Sequence, residues 1–526
     1  MKPLPVPFDA TLNAQRADAT IAQSEPRPPH TDGWLWAILA LVATLRLGTL
    51  SWQSLWYDEA ISYRVAHGSF GGILARSLGI DAQPLSLHFV VEWLFLRFSD
   101  SDFCLRLPSA LMGGGAIWLS YALANQWCGR AEARMTALLL TVSPFHLFYS
   151  QEARYPAMVG FLALWMTWTL FPARATQCGA WCHVAGAIAA ALTSPLLAPS
   201  FIAHGCVVTF CRATRPAVRV WSASLLLAGM VYLVRHLLLR SHIMAVAQSV
   251  PGGSAAAMRN LAVSLPLDLC FGFWQGLALA VRQSPALDLL LQALFCCAAV
   301  YVLIGAWSLL RTPIALHICL WNVAGPIAMT LALSLVMVNN SSRYALAAQP
   351  FLFLLLAAGV VRAGRRHWLL ALPGLLLIIA NCLSMQQHLS RRDYQRSNWR
   401  QAFAWINSEA KADEGLVIGP EGNDILAERY LRSDLQTDMP TPEFALLQFR
   451  WSSHDWPQLE RSTKAAAAQA MSSLPRLWVV LGYEPGTREA AILRAALTEF
   501  ATEEVVQTFP GFPHGVTVIG YAPRRR

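Results

Sequence analysis

The sequence predicts a multi-span α-helical membrane protein with about eleven or more transmembrane helices, followed by a C-terminal extracytoplasmic α/β domain. The 526 residues are 55% hydrophobic and only 13% charged, about half the charged fraction of a soluble globular protein. Mean hydropathy is +0.41. The net charge of +9 comes largely from arginines in short loops between apolar runs, which argues against a nucleic-acid-binding protein.

Eleven apolar segments are candidate spans, because a spanning helix needs roughly 20 mostly apolar residues. They are residues 34–51, 107–126, 132–148, 156–172, 179–193, 195–211, 219–239, 286–310, 314–337, 343–361 and 367–385. The fifth and sixth are short, and a Thr193-Ser194-Pro195 turn separates them.

Arginines in the short loops predict the orientation, because Lys and Arg are retained on the cytoplasmic side. With the N-terminus inside, five alternate loops place their arginines on that side, namely Arg130, Arg134, Arg174, Arg212, Arg215, Arg219, Arg311, Arg362, Arg365 and Arg366. The opposite loops carry the acidic motifs. An odd number of spans puts the chain after about residue 388 outside, which in a bacterial inner (plasma) membrane, the location that the resemblance described below implies, would make the C-terminal domain periplasmic.

Outside the spans, residues 1–32 are polar and contain no apolar signal segment, which predicts a disordered cytoplasmic tail. The transmembrane domain is expected to cover 33–390, with outer loops at 52–106 and 240–285. Within the first loop, residues 84–98 are apolar but too short to span, which favours an interfacial helix. Counting this segment as a span would reverse every later loop and break the charge pattern.

The composition changes near Asn398, and residues 391–526 are predicted to form a small α/β domain. We expect helices at 398–411, 422–432 and 486–499, and strands at 415–419, 477–482 and 516–521. All eleven cysteines precede this region, so no disulfide framework supports it.

Metal and nucleotide motifs are not evident in the sequence. Cys178, Cys182 and His183 have spacing that a metal could use, but three such residues at a helix start meet more often by chance, so we predict no metal site. There is no Walker loop, dinucleotide-binding glycine pattern, zinc-protease helix or nucleophile elbow.

Three polar segments are predicted to meet at the outer surface. Trp56-Tyr57-Asp58-Glu59 follows the first span, Gln151-Glu152-Ala153-Arg154-Tyr155-Pro156 follows the third, and Asn339 to Tyr344 precedes the tenth. Arg343 stands where positive charge is disfavoured, and phosphate binding would explain it. The alternatives are solvated loop acids, a local ion pair at a helix end, and a snorkelling arginine.

Carboxylates and arginines on one membrane face suit sugar transfer from a polyprenyl-phosphate donor. The departing phosphate must be stabilised by cations, and a weakly nucleophilic acceptor hydroxyl needs a carboxylate base. Because the lipid carries the donor sugar, the enzyme needs no nucleotide-binding loop.

These segments resemble the integral-membrane GT-C glycosyltransferases, in particular the family 39/83-like group that includes protein O-mannosyltransferases and the aminoarabinose transferase of lipid A. The family pattern Trp-x-Asp-Glu-Ala-x-Ser matches residues 56–62. An acid followed by Arg-Leu-Pro-Ser-Ala matches Asp102 and 106–110, and Ser-Pro-Phe-His-x-x-Tyr-Ser-Gln-Glu-Ala-Arg is similar to 143–154. The pairs Arg343-Tyr344 and Trp399-Arg400 resemble further family positions, so the likeness covers about 34–400.

The resemblance implies roles for the outer residues. Asp58 would be the general base, supported by Glu59, and Glu152 would be the second acidic partner. Arg154 and Arg343, with Tyr344, would hold the donor phosphate.

The chain departs from the family pattern in the first outer loop. Relatives usually have His or Lys where this chain has Ala82, which predicts a lost or displaced phosphate contact. His88 and Glu92 lie four residues apart on one helix face and are candidate substitutes, with a solvated helix face as the alternative.

The predicted activity is an inverting, polyprenyl-phosphate-dependent glycosyl transfer from undecaprenyl phosphate to a lipid, glycan or protein acceptor. No cofactor is expected, although a divalent cation is compatible with the resemblance, and no nucleic acid is expected to bind. One alternative is a transporter or flippase for a lipid-linked glycan, which predicts ionisable residues near mid-bilayer and inverted repeats. Arg46 is one of few such residues, and no repeat is evident. A catalytically silent scaffold is a third alternative.

Overall fold

The computed structural model describes residues 32–78, 86–171, 176–238, 285–334, 342–391, 395–411, 413–419, 423–431, 456–482, 488–511 and 515–524. The predicted tail except Asp32, nearly all of the outer loop 240–285, and residues 82–84 lie outside this set, as do 339–341.

The described chain before residue 391 is largely helical, most of its helices are apolar, and each of the eleven predicted spans coincides with helical structure. The helices are α1 (Gly33–Leu47), α2 (Tyr57–Ala66), α3 (Ile73–Leu78), α4 (Leu87–Leu96), α5 (Asp102–Trp127), α6 (Arg130–Val142), α7 (Pro144–Ser150), α8 (Pro156–Leu170), α9 (Gln177–Thr193), α10 (Ala198–Phe210), α11 (Val218–Leu238), α12 (Pro285–Ser308), α13 (Pro313–Ser334), α14 (Gln349–Arg366) and α15 (Leu372–Ser390). Short 3₁₀ segments join several of them, including Ser342–Ala348 before α14.

Six helical stretches within the described ranges are long and apolar enough to cross a membrane, and several others are apolar but shorter. The protein is therefore a multi-pass helical membrane protein, and the count of eleven spans stays a prediction. The third predicted span, 132–148, is not one continuous helix. It breaks at Ser143, whose side chain accepts a hydrogen bond from His146 N–H, and restarts as α7 with Pro144 in its first turn, a position where the missing proline N–H costs no helical hydrogen bond.

The seam between α12 and α14 is packed backbone to backbone. A Cβ built at Gly359 would collide with the Tyr301 carbonyl, and one built at Gly305 would collide with the Leu355 carbonyl. Small residues permit such close approach between membrane helices. Glycine is therefore required at both positions to keep these two helices at their observed separation.

One end of the bundle gathers the loops predicted to be cytoplasmic. Asp32, the N-cap of α1, accepts hydrogen bonds from Arg134 at the start of α6. Glu132 forms an ion pair of 2.8 Å with Arg365 at the end of α14. The predicted disordered tail is thus wrong for its last residue, because Asp32 is buried by these contacts.

The C-terminal region contains a four-stranded sheet of order β1-β2-β4-β3. Its elements are α16 (Trp399–Glu409), β1 (Gly415–Gly419), α17 (Asp424–Tyr430), α18 (Trp456–Ser473), β2 (Leu477–Gly482), α19 (Arg488–Phe500), β3 (Ala501–Phe509) and β4 (Val516–Pro523). Strand β1 is parallel to β2, and β4 is antiparallel to both β2 and β3. An independent extracytoplasmic domain stays a prediction.

The two faces of this sheet pack against different partners, as the alternation of side chains along a strand requires. Trp478 and Val480 of β2 belong to an apolar cluster with Phe403 of α16 and with Phe89 of α4. Residues of β2 that point the other way pack with α18 and α19. One face of the sheet therefore packs, together with α16, against the segment between α1 and α5.

Candidate active site

Helix α2 begins with the acidic pair Asp58 and Glu59 in its first turn, where the helix dipole favours negative charge. Consecutive residues on an α-helix project about 100° apart, so the two carboxylates enter different surroundings. The Asp58 side chain is 17% exposed, whereas Glu59 is 0% exposed.

Glu59 is held by two arginines and one backbone N–H. Arg106 on α5 donates from Nε to Oε1 (2.7 Å) and from Nη2 to Oε2 (2.6 Å). Arg396 lies 2.7 Å from Oε2, and Ala153 N–H donates to Oε1 at 2.9 Å. Burial alone would raise the pKa of Glu59, but the two guanidinium groups outweigh it and lower the pKa to about 2.

Asp58 forms an ion pair with Arg343, whose Nη1 donates to Oδ2 at 2.8 Å. Arg343 belongs to the 3₁₀ segment Ser342–Ala348, which leads into α14, and is 21% exposed. Its guanidinium also lies 5.5 Å from the ring centroid of Tyr344. We call Asp58, Glu59 and Glu152, with Arg106, Arg343 and Arg396, the acidic cluster. The Asp58–Arg343 ion pair is the part of this cluster that remains partly open to a ligand.

Glu152 occupies the turn between α7 and α8. Gln151 anchors this turn by donating from Nε2 to the Arg46 carbonyl (3.0 Å) and to Thr49 Oγ1 (2.6 Å). Glu152 is fully buried, and within the described part of the chain neither of its carboxylate oxygens has a hydrogen-bond partner. Burial raises its pKa to about 7, against the opposing influence of Arg396 and Arg343.

Comparison with known proteins gives a fold assignment. No protein-family model matches the sequence, and no curated protein matches it. Among solved structures, ArnT from Cupriavidus metallidurans in the apo state is similar at a TM-score of 0.53 and 13% identity over 93% of this chain and 98% of that chain. The same protein bound to undecaprenyl phosphate gives 0.52 and 14% over the same shares. The oligosaccharyltransferase of Archaeoglobus fulgidus in the apo form gives 0.51 and 12%, over 94% and 74%.

The chain has the GT-C fold. The resemblance inferred from the outer motifs is therefore confirmed at the level of the fold, since these neighbours are GT-C membrane glycosyltransferases. The structure also brings the Asp58-Glu59 segment and the Glu152 turn into direct contact, through the hydrogen bond from Ala153 to Glu59.

Arg154 lies beside α4 in this GT-C fold. It is buried, and its guanidinium lies 5.7 Å from the Tyr155 ring centroid. The pKa of His88 is lowered mainly by the burial of the imidazole and further by the positive charge of Arg154. His88 and Glu92 are both buried, so the alternative of a solvated helix face is wrong. Thr193 O accepts from Ser86 Oγ (2.8 Å), and His88 Nδ1 lies 2.6 Å from the same hydroxyl oxygen.

Two arginines of the cluster were not predicted as site residues. Arg106 lies within a predicted outer motif, and a charged residue at the end of an apolar span was a usable signal for it. Arg396 lies in a polar linker before α16, where arginines are common and give no sequence signal of a site. Its contact with Glu59 is formed only in the folded chain.

Asp102 joins this end of the helical bundle to the C-terminal region. It accepts hydrogen bonds from Arg400 (2.6 Å), Arg429 (3.1 Å) and the Tyr430 hydroxyl (2.8 Å). Tyr430 in turn accepts from Leu55 N–H at 2.9 Å. The start of α5, the approach to α2 and the helix α17 are therefore fixed together beside the acidic cluster.

The described residues contain no group of three or more metal-ligating side chains. Cys178 is exposed, whereas His183 is buried with Nδ1 3.0 Å from the Met166 carbonyl, so these two do not converge. At the acidic cluster, Asp58 is engaged by Arg343 and Glu59 by Arg106 and Arg396. The absence of a cofactor and the divalent cation that the resemblance allows both stay predictions.

Proposed function

We propose that the protein is a glycosyltransferase that moves a sugar from a polyprenyl phosphate, undecaprenyl phosphate in a bacterial inner membrane, to a lipid, glycan or protein acceptor. The observation that carries this proposal is the partly exposed Asp58–Arg343 ion pair next to the buried Glu152 on a GT-C scaffold. Two neighbours of that fold support the donor class, since ArnT is bound to undecaprenyl phosphate and the archaeal oligosaccharyltransferase to a dolichol phosphate.

In the proposed reaction, the acceptor oxygen attacks the anomeric carbon of the donor sugar while the bond from that carbon to the phosphate oxygen breaks. Polyprenyl phosphate leaves with the bonding electron pair, and the configuration inverts. Arg343 stabilises the departing phosphate through charge-assisted hydrogen bonds, and Arg154 with Tyr344 completes its surroundings. Electrostatic stabilisation of this kind is usually the largest contribution.

Asp58 accepts the proton of the attacking hydroxyl, because it is the more exposed of the acids in the cluster. Glu59 is a supporting residue that orients α2 through its arginine pairs. Glu152, whose pKa of about 7 lets it take up and release protons near neutral pH, receives the proton from Asp58 between turnovers. His88 and Glu92 contribute to the wall beside Arg154.

The test is turnover by the purified protein in lipid nanodiscs with a panel of undecaprenyl-phosphate sugars, read as release of undecaprenyl phosphate. The panel and the acceptor come from mass spectrometry of the lipids and envelope of a deletion strain. Asp58→Asn should lower the rate by about 10²–10⁴, the usual contribution of a general base. The protein should remain folded and should still bind undecaprenyl phosphate.

The matched control is Glu428→Gln, because Glu428 is half exposed in a peripheral ion pair with Arg64. Unchanged turnover in Asp58→Asn removes the base assignment. Movement of an intact lipid-linked glycan across vesicles without loss of its sugar points instead to a transporter. Binding of the donor with no cleavage under any condition points to a scaffold.

A further inference from the structure

The C-terminal region contributes a side chain to the interior of the acidic cluster. The side chain of Arg396 is 6% exposed, and its Nη1 lies 2.7 Å from Glu59 Oε2. Its guanidinium also lies 4.6 Å from the ring centroid of Phe148, on the face of that ring. A buried charge is costly unless it is paired, and here the partner of Arg396 is the Glu59 carboxylate.

The backbone of this linker is fixed at the same point. Arg396 N–H donates to Gln53 Oε1 at 3.2 Å, and the Ser397 carbonyl accepts from Ser54 Oγ at 2.6 Å. The backbone at Arg396 and Ser397 is therefore hydrogen-bonded to Gln53 and Ser54, which precede α2, and the Arg396 side chain extends into the cluster from this fixed position.

Arg396 also lies beside the Glu152 turn. Its Nη1 approaches the Gln151 carbonyl at 3.5 Å, one residue before Glu152, and Phe148 precedes the same turn. It closes one wall of a polar cleft of about 10 Å³ that Gln53, Gln151 and His388 also line, roughly the space of one water molecule.

We propose that Arg396 is a positioning residue that the C-terminal region contributes to the active site. It holds the Glu59 carboxylate in place and supplies a positive charge close to the Glu152 carboxylate. The inference rests on the proposed function for its effect on turnover, but its effect on Glu152 does not depend on turnover.

The charged groups that act on Glu152 come from three elements. They are Arg396 from the linker before α16, Arg343 from the 3₁₀ segment before α14, and Glu59 and Asp58 from α2. Of the two arginines, Arg396 has the larger influence in lowering the pKa of Glu152. Loss of its charge should therefore raise that pKa further above the ordinary range of a glutamic acid.

The experiment measures the protonation of Glu152 directly, by its reaction with dicyclohexylcarbodiimide, which modifies protonated carboxyl groups in apolar surroundings. Labelling of Glu152 in the intact purified protein is followed by mass spectrometry from pH 5 to pH 9. Arg396→Gln is preferred to alanine because alanine would enlarge the polar cleft and admit water. Its labelling midpoint should lie about one pH unit or more above the wild-type midpoint, as expected when one nearby opposite charge is removed.

Two matched variants complete the test. Arg396→Lys keeps the charge and should keep the midpoint close to that of the wild type. Arg400→Gln lies in the same region but pairs with Asp102 instead of the site carboxylates, so its midpoint should not move. An unchanged midpoint in Arg396→Gln, or an equal shift in Arg400→Gln, overturns the proposal.

Phe148→Leu serves if Arg396→Gln does not fold. It retains the charge but removes the ring against which Arg396 lies, and should raise the midpoint by a smaller amount; no shift would contradict the proposal. With an active donor, Arg396→Gln should lower kcat and leave KM nearly unchanged, because Arg396 is buried against Glu59 and is proposed to act through its neighbours. If the wild type shows no turnover, the proposed function fails while the labelling result still decides the role of Arg396.

Discussion

Glu59 and Glu152 are two completely buried glutamates in neighbouring segments, and their surroundings differ in almost every respect. Glu59 receives hydrogen bonds from Arg106 and from a backbone N–H and pairs with Arg396, and its pKa is lowered to about 2 against the effect of burial. Glu152 has no hydrogen-bond partner for either oxygen within the described chain, and burial raises its pKa to about 7.

The difference separates a residue that maintains the fold from one suited to proton transfer. A fully paired carboxylate stays ionised at every physiological pH and cannot accept a proton without losing its partners. An unpaired buried carboxylate is costly to ionise, and such groups cluster at functional sites. Under the proposed function, Glu59 therefore stabilises the fold, whereas Asp58 and Glu152 take part in proton transfer.

The largest expected effect follows from Glu59→Gln, which leaves two buried guanidinium groups without their counter-charge. Breaking a buried ion pair by removing one partner costs about 3–5 kcal/mol of unfolding free energy. The variant should show a large fall in thermal stability in detergent and little or no activity. A melting temperature equal to that of the wild type would show that the ion pairs are not structural.

The next effect is the pH dependence of the stability difference between Glu152→Gln and the wild type. The folded-state pKa of Glu152 is raised from its ordinary value of 4.5 to about 7, so its ionisation destabilises the wild type. This cost is absent below about pH 4.5, grows as pH rises towards 7, and is complete above 7.

Glu152→Gln should therefore match the wild type in stability near pH 4.5 and exceed it at pH 8, by roughly 3 kcal/mol at most. Chemical unfolding at both pH values measures the difference. Glu59 contributes the opposite sign, because its stabilisation is present above about pH 4.5 and is lost only as pH falls towards 2. An advantage of the glutamine variant that is equal at both pH values contradicts the assigned titration.

The rate should depend on pH through Glu152 as well. If Glu152 must be ionised to take the proton from Asp58, turnover rises with pH through about 7 and then levels off. Glu152→Gln should remove this rise and lower the rate at pH 8 by about 10²-fold, the lower end of the usual contribution of a general acid–base group. Retention of the same pH profile in the variant would assign the titration to another group.

The smallest effect is expected at the Arg64–Glu428 ion pair, whose side chains are 39% and 53% exposed. Exposed ion pairs contribute about 0.2–1 kcal/mol, so Glu428→Gln should change the unfolding free energy by no more than this and leave turnover intact. A loss comparable to that in Glu59→Gln would mean that contact between α2 and α17 matters more than the buried pairs.

The helices and most of the sheet follow from local pattern, which explains why the sequence predicted them. Strands β1, β2 and β4 are short apolar runs, and their positions agree with prediction. Strand β3 was missed because it begins directly after α19 without a turn and exposes most of its side chains at the sheet edge. Helix α18 was also missed, although the sequence carries helix-start signals there, with Pro457 near its beginning and Gln458 three residues after Asp455.

The site was predictable only in part. The motifs identified Asp58, Glu59, Glu152 and Arg343, because acids and arginines beside apolar spans are unusual. Glu59 is buried and paired whereas Asp58 stays partly exposed, and this difference depends on Arg106 and Arg396, which are distant in sequence from α2. That distinction arises from tertiary contacts, so neither spacing nor composition could reveal it.

The glycine seam between α12 and α14 has a mechanical consequence for the end of the bundle that carries Arg343. Gly359 fixes α14 against α12 at a point sixteen residues after Arg343, a lever arm of roughly 25 Å at the usual helical rise. A tilt of about 10° about this pivot would carry the guanidinium roughly 4 Å sideways. Under the proposed function, a tilt of this size would separate Arg343 from Asp58 and make room for the headgroup of the lipid donor.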